Sequence, residues 1–279
     1  MNSNEFEDIL FEKEKNGICT LTFNSPERRN ALSNQTFSEI RTVLSEMERD
    51  KNAKVLIITG CREANAFSSG GYFDLKFFAS HPTKKNNNES LVAISKDENQ
   101  NKRNIKFWDF SKPIIAAING LAIGAGITMI LMGADLIYMA DSPDTYLEFN
   151  FIKRAIIAQS AMSFILPFYV GFQKAKEILY FGEKINPQEA YDLRLVNKVL
   201  PPNELLTYVR EQALKLIPPK GPSLSIKLMK KVMHDNFREI IIKTSDLEKG
   251  FNRLSFKTHD FREASRAFIE KREPNFKGR

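Results

Sequence analysis

The chain has 279 residues, of which 42% are hydrophobic and 27% are charged, with a formal net charge of +7. This composition and length allow a full hydrophobic core and exclude disordered, collagenous and coiled-coil proteins. Cys19 and Cys61 are the only cysteines, too few for a disulfide framework and without the spacing of a zinc site. A reducing compartment is therefore expected, and the cytoplasm is the predicted location.

Neither the N-terminus nor the uncharged stretches predict export or a membrane span. Residues 1–15 are rich in acidic side chains and contain no long apolar run, unlike a signal or transit peptide. Residues 113–134 and 155–173 lack charged side chains. Glycines interrupt the first stretch, and polar residues and a proline interrupt the second, so both are interpreted as core segments.

The first third of the chain predicts a hairpin, a helix and a buried strand. Asn16-Gly17 lies between apolar runs, and since both residues tolerate a positive φ, a type I′ turn is expected. Ser33 or Asn34 begins a predicted helix with apolar residues at three- and four-residue spacing. Residues 55–59 predict a buried strand.

The middle of the chain alternates strands and helices. Residues 113–118 predict a strand, 120–126 a glycine-spaced turn and 127–132 the start of a buried helix. A strand is expected at 136–139, and helices are expected after Ala155 and Gln173. The polar residues 81–106 predict a mobile loop or a loosely held helix.

The last third predicts helices. Apolar residues recur at helical spacing in residues 206–216, after a predicted N-cap at Asn203. The same spacing recurs from Phe261 to Phe268. Strands alternating with helices predict βαβ units and a largely parallel sheet. The fold class is therefore α/β with a helical C-terminal part.

Four segments, in this order, resemble the crotonase superfamily, also called the enoyl-CoA hydratase/isomerase family. They are Asn24-Ser-Pro-Glu-Arg-Arg-Asn-Ala-Leu32, Ala66-Phe-Ser-Ser-Gly-Gly71, residues 112–124 and residues 185–200. Residues 260–277 also resemble the last helix of the family. The resemblance spans the chain from about residue 9 to its end.

The resemblance implies a crotonase-like (ClpP/crotonase) spiral of ββα units with two stacked sheets and a C-terminal helical trimerisation region. Residues 1–200 would form the core with an acyl-CoA pocket, and residues 201–279 would serve oligomerisation and pocket closure. The implied substrate is a coenzyme A thioester, with no other cofactor and no metal. A homotrimer or hexamer is expected, without a membrane partner, and nucleic acid is the less favoured partner.

The shared chemistry of the family is stabilisation of a thioester enolate by two backbone N–H groups, which the resemblance assigns to Gly71 and Ala125. Donors at a helix N-terminus stabilise negative charge that develops on an oxygen. The resemblance also places six residues at the substrate, and the side chain of one of them, Tyr72, is alternatively expected to pack against the acyl chain. These residues are Ala66, Ser68, Gly70, Tyr72, Gly124 and Asn150.

The three positions that carry catalytic carboxylates in relatives hold Thr128, Asn150 and Ala158 in this chain. None of these side chains does the work of a carboxylate near neutral pH. Glu148 is the nearest substitute acid or base, because residues two apart on an extended chain lie on one side, about 7 Å apart; the alternative is a surface role. Gln159 is a second candidate, which would orient a water, or would lie on a helix surface or cap.

Three functions therefore stay open. The first is an acyl-CoA enzyme, a hydratase or isomerase by default, with hydrolysis and decarboxylation as alternatives. The second is a catalytically silent acyl-CoA-binding or assembly subunit. The third, less favoured, is RNA binding through Lys227, Lys230 and Lys231. His81, His234 and His259 lie outside the matched segments and receive no catalytic role.

Overall fold

The computed structural model describes residues 6–72 and 105–279. The strands are β1 (Ile9–Lys13), β2 (Ile18–Phe23), β3 (Val55–Gly60), β4 (Ala66–Ser68), β5 (Ile114–Ile118), β6 (Leu121–Ile123), β7 (Leu136–Ala140), β8 (Leu147–Glu148), β9 (Lys184–Ile185) and β10 (Lys198–Leu200). The helices are α1 (Asn34–Arg49), α2 (Ala125–Gly133), α3 (Met162–Val170), α4 (Phe172–Phe181), α5 (Pro187–Asp192), α6 (Leu205–Lys215), α7 (Ser223–Asp235), α8 (Arg238–Ser255) and α9 (His259–Glu270). The predicted polar segment 81–106 lies outside the described residues, except for 105 and 106, which are helical.

Two sheets organise the fold. The larger sheet has the order β1-β2-β3-β5-β7-β10, and the smaller one β4-β6-β8-β9. Strands β2, β3, β5, β7 and β10 are parallel, and β1 forms an antiparallel hairpin with β2. In each of the pairs β3/β4, β5/β6 and β7/β8, the first strand lies in the larger sheet and the second in the smaller one. The predicted α/β class and the crotonase-like spiral are thereby confirmed.

Apolar residues cover both faces of the larger sheet. Helix α1 contributes Ile40, Val43, Leu44 and Met47 to the principal core cluster, on one side of the sheet. On the other side, Leu205, Val209 and Ala213 of α6 pack with strand residues such as Ile57 and Ile115. Burial of each large aliphatic side chain contributes about 1.5–3 kcal/mol.

Across the described part of the chain, no helix combines the length and apolarity that a membrane crossing requires.

Several local predictions need correction. The hairpin forms, but only Gly17 has a positive φ (94°), so the expected type I′ turn is wrong. The predicted turn at 120–126 contains strand β6, and α2 begins two residues earlier than expected. The helix expected after Ala155 begins only at Met162, and α6 is not capped by Asn203. Strand β6 forms because it pairs with β4 and β8, and hydrogen bonds to α8 hold the residues before Met162.

Polar side chains attach helix α8 to the segment that precedes α3. The buried residues of α8 are Ile241, Ser245, Glu248 and Asn252. The carboxylate of Glu248 accepts hydrogen bonds from the backbone amides of Ala161 and Ser163, at 2.8 Å each. Burial raises the pKa of Glu248 to about 7, and these hydrogen bonds, with one from the Ser163 side chain, oppose only part of that effect.

Glu248 should make the protein less stable as the pH rises. Its ordinary pKa is 4.5, so between this value and about 7 the folded protein holds a proton that the unfolded chain has released. The stabilisation is complete below pH 4.5 and is lost as the pH rises through about 7, a change on the order of 3 kcal/mol.

Urea unfolding of the wild type and of the non-titrating Glu248→Gln variant, from about pH 5 to about pH 8, measures this change. The difference between their free energies of unfolding should shift steadily against the wild type as the pH rises. A difference that is constant across this range contradicts the raised pKa.

Candidate active site

The segment Arg28–Leu32 holds the turn that carries Gly70 and Gly71. The Leu32 amide donates to the Gly70 carbonyl at 2.7 Å, and the Tyr72 amide donates to the Leu32 carbonyl at 2.9 Å. The Ser69 amide donates to the Arg29 carbonyl at 3.0 Å. Two of the matched segments are therefore physically one unit, because the first supplies the hydrogen-bond partners of the second.

The side chain of Asn30 also holds this unit in place. Its side-chain amide donates to the Ala66 carbonyl at 2.9 Å, and its side-chain oxygen accepts from the Ser25 amide at 2.9 Å. The Ser68 hydroxyl donates to the Asn30 carbonyl and accepts from the Gly70 amide. Ala66 and Ser68 are fully buried, so they hold the turn, and their contact with substrate stays a prediction.

The turn lies against the N-terminus of α2. Gly70 has a φ of 98°, and a methyl group on it would lie 2.8 Å from the Ile123 carbonyl oxygen and 3.8 Å from the Ala125 amide nitrogen. A methyl group on Gly126 would lie 2.8 Å from the Ser68 β-carbon. Glycine is therefore required at both positions, and Gly71 is placed beside the first turn of the helix.

Two backbone amides are available at this contact. Ala125 is the first residue of α2, and Gly124 precedes it with a φ of 49° and a ψ of −118°. No side chain caps this helix N-terminus. Within the described residues, neither the Gly71 amide nor the Ala125 amide donates a hydrogen bond. Both residues are half-buried, and the structure brings the two predicted donors together at a helix N-terminus. Their contact with a ligand stays a prediction.

Tyr72 borders the turn, and 54% of its surface is exposed. The guanidinium of Arg28 lies 5.7 Å from the centre of its ring, within cation–π range. Arg28 also pairs with Asp8 at 2.5 Å. Burial raises the pKa of Asp8, but hydrogen bonds from Ser33 and Thr36 and the Arg28 charge outweigh burial, and the net shift is downward.

Strand β8 brings Glu148 and Asn150 to the same helix N-terminus. The Gly124 amide donates to the Glu148 carbonyl at 2.8 Å. The Asn150 side-chain oxygen lies 3.2 Å from the place that a methyl group on Gly124 would occupy. The carboxylate of Glu148 is buried and pairs with Lys153 at 2.9 Å. The alternative prediction, a surface role for Glu148, is therefore wrong.

The segment before α3 passes the buried side of α2. Thr128 is fully buried, and its hydroxyl lies 3.4 Å from that of Ser160. Ala158 is buried in the principal core cluster, and Gln159 is half-buried. Gln159 precedes α3, so its alternative placement on a helix surface is wrong, because the helix begins only at Met162.

The lysines considered for RNA binding do not form an exposed basic face. Lys230 is buried, donates to the Lys112 carbonyl at 3.0 Å and pairs with Asp135 at 2.7 Å. Burial lowers the pKa of Lys230, although the charge of Asp135 opposes this shift. Lys231 pairs with Asp235 on the same helix. The basic stripe expected from the sequence is therefore split between the interior and the surface.

Two histidines have structural partners, whereas His81 lies outside the described residues. The ring of His234 stacks on Trp108, and its Nδ1 lies 2.7 Å from the Trp108 carbonyl oxygen. Burial lowers the pKa of His234. His259 lies beside Asp260 at 3.1 Å.

In residues 6–72 and 105–279, no group of three or more His, Cys, Asp or Glu side chains is arranged to hold a metal ion.

Sequence reasoning missed several buried polar residues that hold segments around the candidate site. Asn30 lies within the first matched segment, but its role depends on two partners, the nearby Ser25 and the distant Ala66. Glu248 and Asn252 occupy the buried stripe of α8. Polar residues at core-facing helical positions are the signal that could have identified them, because buried polar groups need partners.

Comparisons with known proteins identify the family of the chain. The family model described as "Enoyl-CoA hydratase/isomerase" matches residues 13–279. The chain is 28% identical to 1,2-epoxyphenylacetyl-CoA isomerase of Escherichia coli (strain K12), over 98% of this chain and 99% of that protein. It is 30% identical to crotonyl-CoA hydratase of Syntrophomonas wolfei, over 97% of this chain and 98% of that protein.

Solved structures show the same fold. An enoyl-CoA hydratase/isomerase from Pseudoalteromonas atlantica T6c superposes with a TM-score of 0.80 at 23% identity, over 97% of this chain and all of that one. An enoyl-CoA hydratase from Bacillus halodurans has a TM-score of 0.82 at 21% identity, over 94% of this chain and 100% of that one. With a family model that spans nearly the whole sequence, the chain belongs to the enoyl-CoA hydratase/isomerase family.

Proposed function

We propose that this protein processes an acyl-CoA thioester by stabilising its enolate at the amides of Gly71 and Ala125. The observation that carries the proposal is the placement of these two amides, both without a hydrogen-bond partner in the described residues, where the glycine turn meets the N-terminus of α2. Family membership supports a thioester as the substrate, since similar proteins are named for reactions of acyl-CoA compounds.

The chemistry follows from where the negative charge develops. Removing a proton next to the thioester carbonyl, or losing carbon dioxide from a carboxylate at that carbon, leaves the electron pair delocalised onto the carbonyl oxygen. Two N–H groups aimed at that oxygen stabilise the enolate more than the neutral ester, and the positive end of the helix dipole adds to the effect. Removal of one such donor typically costs about 10²–10³-fold in rate.

We assign the proton transfer to Glu148, with Gln159 as a residue that orients a water. Lys153 donates to one oxygen of the Glu148 carboxylate, and the other oxygen accepts no hydrogen bond from the described residues. The peptide that follows β8 leads directly to Asn150 beside Gly124. Decarboxylation is the alternative reaction that uses the same two amides, because loss of carbon dioxide forms the enolate without a base.

The test of this function is incubation with saturated, 2-enoyl, 3-enoyl, hydroxyacyl and malonyl thioesters of coenzyme A in D₂O, followed by mass spectrometry. Deuterium uptake next to the thioester or a change of mass in any of them is expected. Binding without any such change would identify a catalytically silent acyl-CoA-binding subunit. Absence of both binding and change would contradict the proposed substrate class.

Replacement of Gly71 by proline should abolish most of the thioester chemistry, because proline has no amide hydrogen. Turnover should fall by about 10²-fold or more in a folded variant. Gly71→Ala is the matched control, since it keeps the amide, and it should lose less activity. Unchanged turnover in the proline variant, with a wild-type circular dichroism spectrum, would refute the role of Gly71.

Glu148→Gln should slow deuterium exchange by about 10²-fold, the lower end of the usual contribution of a general base. Binding of the acyl-CoA, measured by calorimetry, should change little. Lys153→Gln is the control for loss of the ion pair alone and should retain most of the exchange. Wild-type exchange in Glu148→Gln eliminates Glu148 as the base.

We also propose that the protein self-associates through its C-terminal helices, as a trimer or hexamer. Helix α7 exposes several large apolar side chains, each more than half exposed: Leu224, Leu228, Met229, Val232 and Met233. An apolar face of this kind is typical of a surface that another chain covers.

Light scattering of the wild type should give a mass of three or six times 32.0 kDa. The double variant Met229→Lys and Val232→Glu should reduce the mass toward one chain, while Glu211→Lys on the exposed side of α6 should not. A wild type that is monomeric at micromolar concentration contradicts the proposed self-association. That result would not bear on the thioester site.

A further inference from the structure

Helix α8 holds the segment 157–163 at several backbone groups. Asn252 accepts from the Ile157 amide at 3.0 Å and donates to the Ile157 carbonyl at 3.1 Å. Glu248, one helical turn away, accepts from the Ala161 and Ser163 amides with different carboxylate oxygens. Both side chains are almost fully buried. Together they fix both ends of this short segment.

The segment borders the proposed thioester site. The hydroxyl of its Ser160 lies 3.4 Å from that of Thr128, in the first turns of α2. Its Ala158 stands where many relatives carry a catalytic carboxylate, according to the sequence resemblance. Movement of this segment would therefore alter the space next to the helix whose first amide is assigned to the enolate.

The segment does not adopt its shape by local preference alone. Ser160 and Ala161 have φ values of 67° and 58°, so two consecutive residues other than glycine lie in the left-handed region. This conformation is uncommon for such residues and persists where the surroundings enforce it. The hydrogen bonds that Glu248 accepts from the Ala161 and Ser163 amides are among the contacts that enforce it.

A carboxylate, which is the form of Glu248 above about pH 7, suits this position better than an amide. Each oxygen of Glu248 accepts from a different N–H group. A glutamine side chain has one acceptor oxygen and would turn its NH₂ group toward the second backbone donor. The groups that act on this carboxylate are the two amides and the Ser163 hydroxyl, with no charged side chain among them.

We propose that Glu248 and Asn252 are positioning residues of the thioester site, which hold the segment 157–163 against α2 from the C-terminal helix α8. The inference rests on the proposed function and deepens it. It gives the C-terminal region a part in the chemistry, beyond covering the core. Neither residue is placed in contact with the substrate, so both act through the backbone that they hold.

The experiment combines two measurements on Glu248→Gln, Asn252→Ala and the conservative Glu248→Asp. Hydrogen–deuterium exchange of the intact protein reports whether the amides of residues 157–163 have lost protection. Deuterium exchange into an acyl-CoA that the wild type turns over, together with the dissociation constant of the same compound, reports the effect on the site. Glu239→Gln, at an exposed position of α8, is the matched control.

In Glu248→Gln and Asn252→Ala, we expect amide exchange of residues 157–163 to rise at least tenfold, while strands β2 and β3 stay protected. Substrate exchange should fall at least tenfold with a dissociation constant within about threefold of the wild type. Glu248→Asp should recover part of the rate, because it keeps two acceptor oxygens, and Glu239→Gln should match the wild type.

Unchanged amide protection in both Glu248→Gln and Asn252→Ala would overturn the inference. A rise in amide exchange with wild-type substrate exchange would overturn it as well, because the segment would then be held without consequence for the site. A wild type that shows no substrate exchange contradicts the proposed function instead. The amide measurement then decides alone whether α8 positions the segment.

Discussion

The structure of the site depends on one close contact, between the glycine turn after β4 and the N-terminus of α2. A β-carbon on Gly70 would collide with the Ile123 carbonyl, and one on Gly126 would collide with the side chain of Ser68. The contact leaves two backbone amides beside each other without partners in the described residues. Unsatisfied N–H groups at a helix N-terminus attract negative charge, so packing of this kind creates an electrostatic site without any charged side chain.

Residues far apart in the chain share the work of holding this contact. The N-terminal segment around Asn30 fixes the turn through backbone hydrogen bonds, and β8 fixes the residue before the helix through the Glu148 carbonyl. Each such hydrogen bond contributes only about 1 kcal/mol. Several of them together fix the two sides of the contact.

The proposed chemistry depends on electrostatics more than on ionisable groups. The sequence resemblance assigns Thr128, Asn150 and Ala158 to the positions at which relatives carry carboxylates, and Glu148 pairs with Lys153. A site with two aligned amides and few ionisable side chains favours reactions whose difficult step is formation of the enolate. The proposed geometry would suit proton removal, isomerisation and decarboxylation alike, because each of these reactions passes through an enolate.

The sequence by itself determined the fold class, the principal strands and the helix at Asn34–Arg49, because these follow from periodicity and from segments that resemble a family. It also predicted Gly71 and Ala125 as the two amide donors, and that assignment stays a prediction. It did not determine that α3 begins at Met162, that Lys230 is buried on Asp135, or that Glu248 reaches the amides of Ala161 and Ser163. The burial of Lys230 on Asp135 and the reach of Glu248 depend on contacts between residues about 85 or more positions apart. Local patterns record propensity and amphipathicity, whereas the partners of buried polar groups exist only once distant segments have packed together.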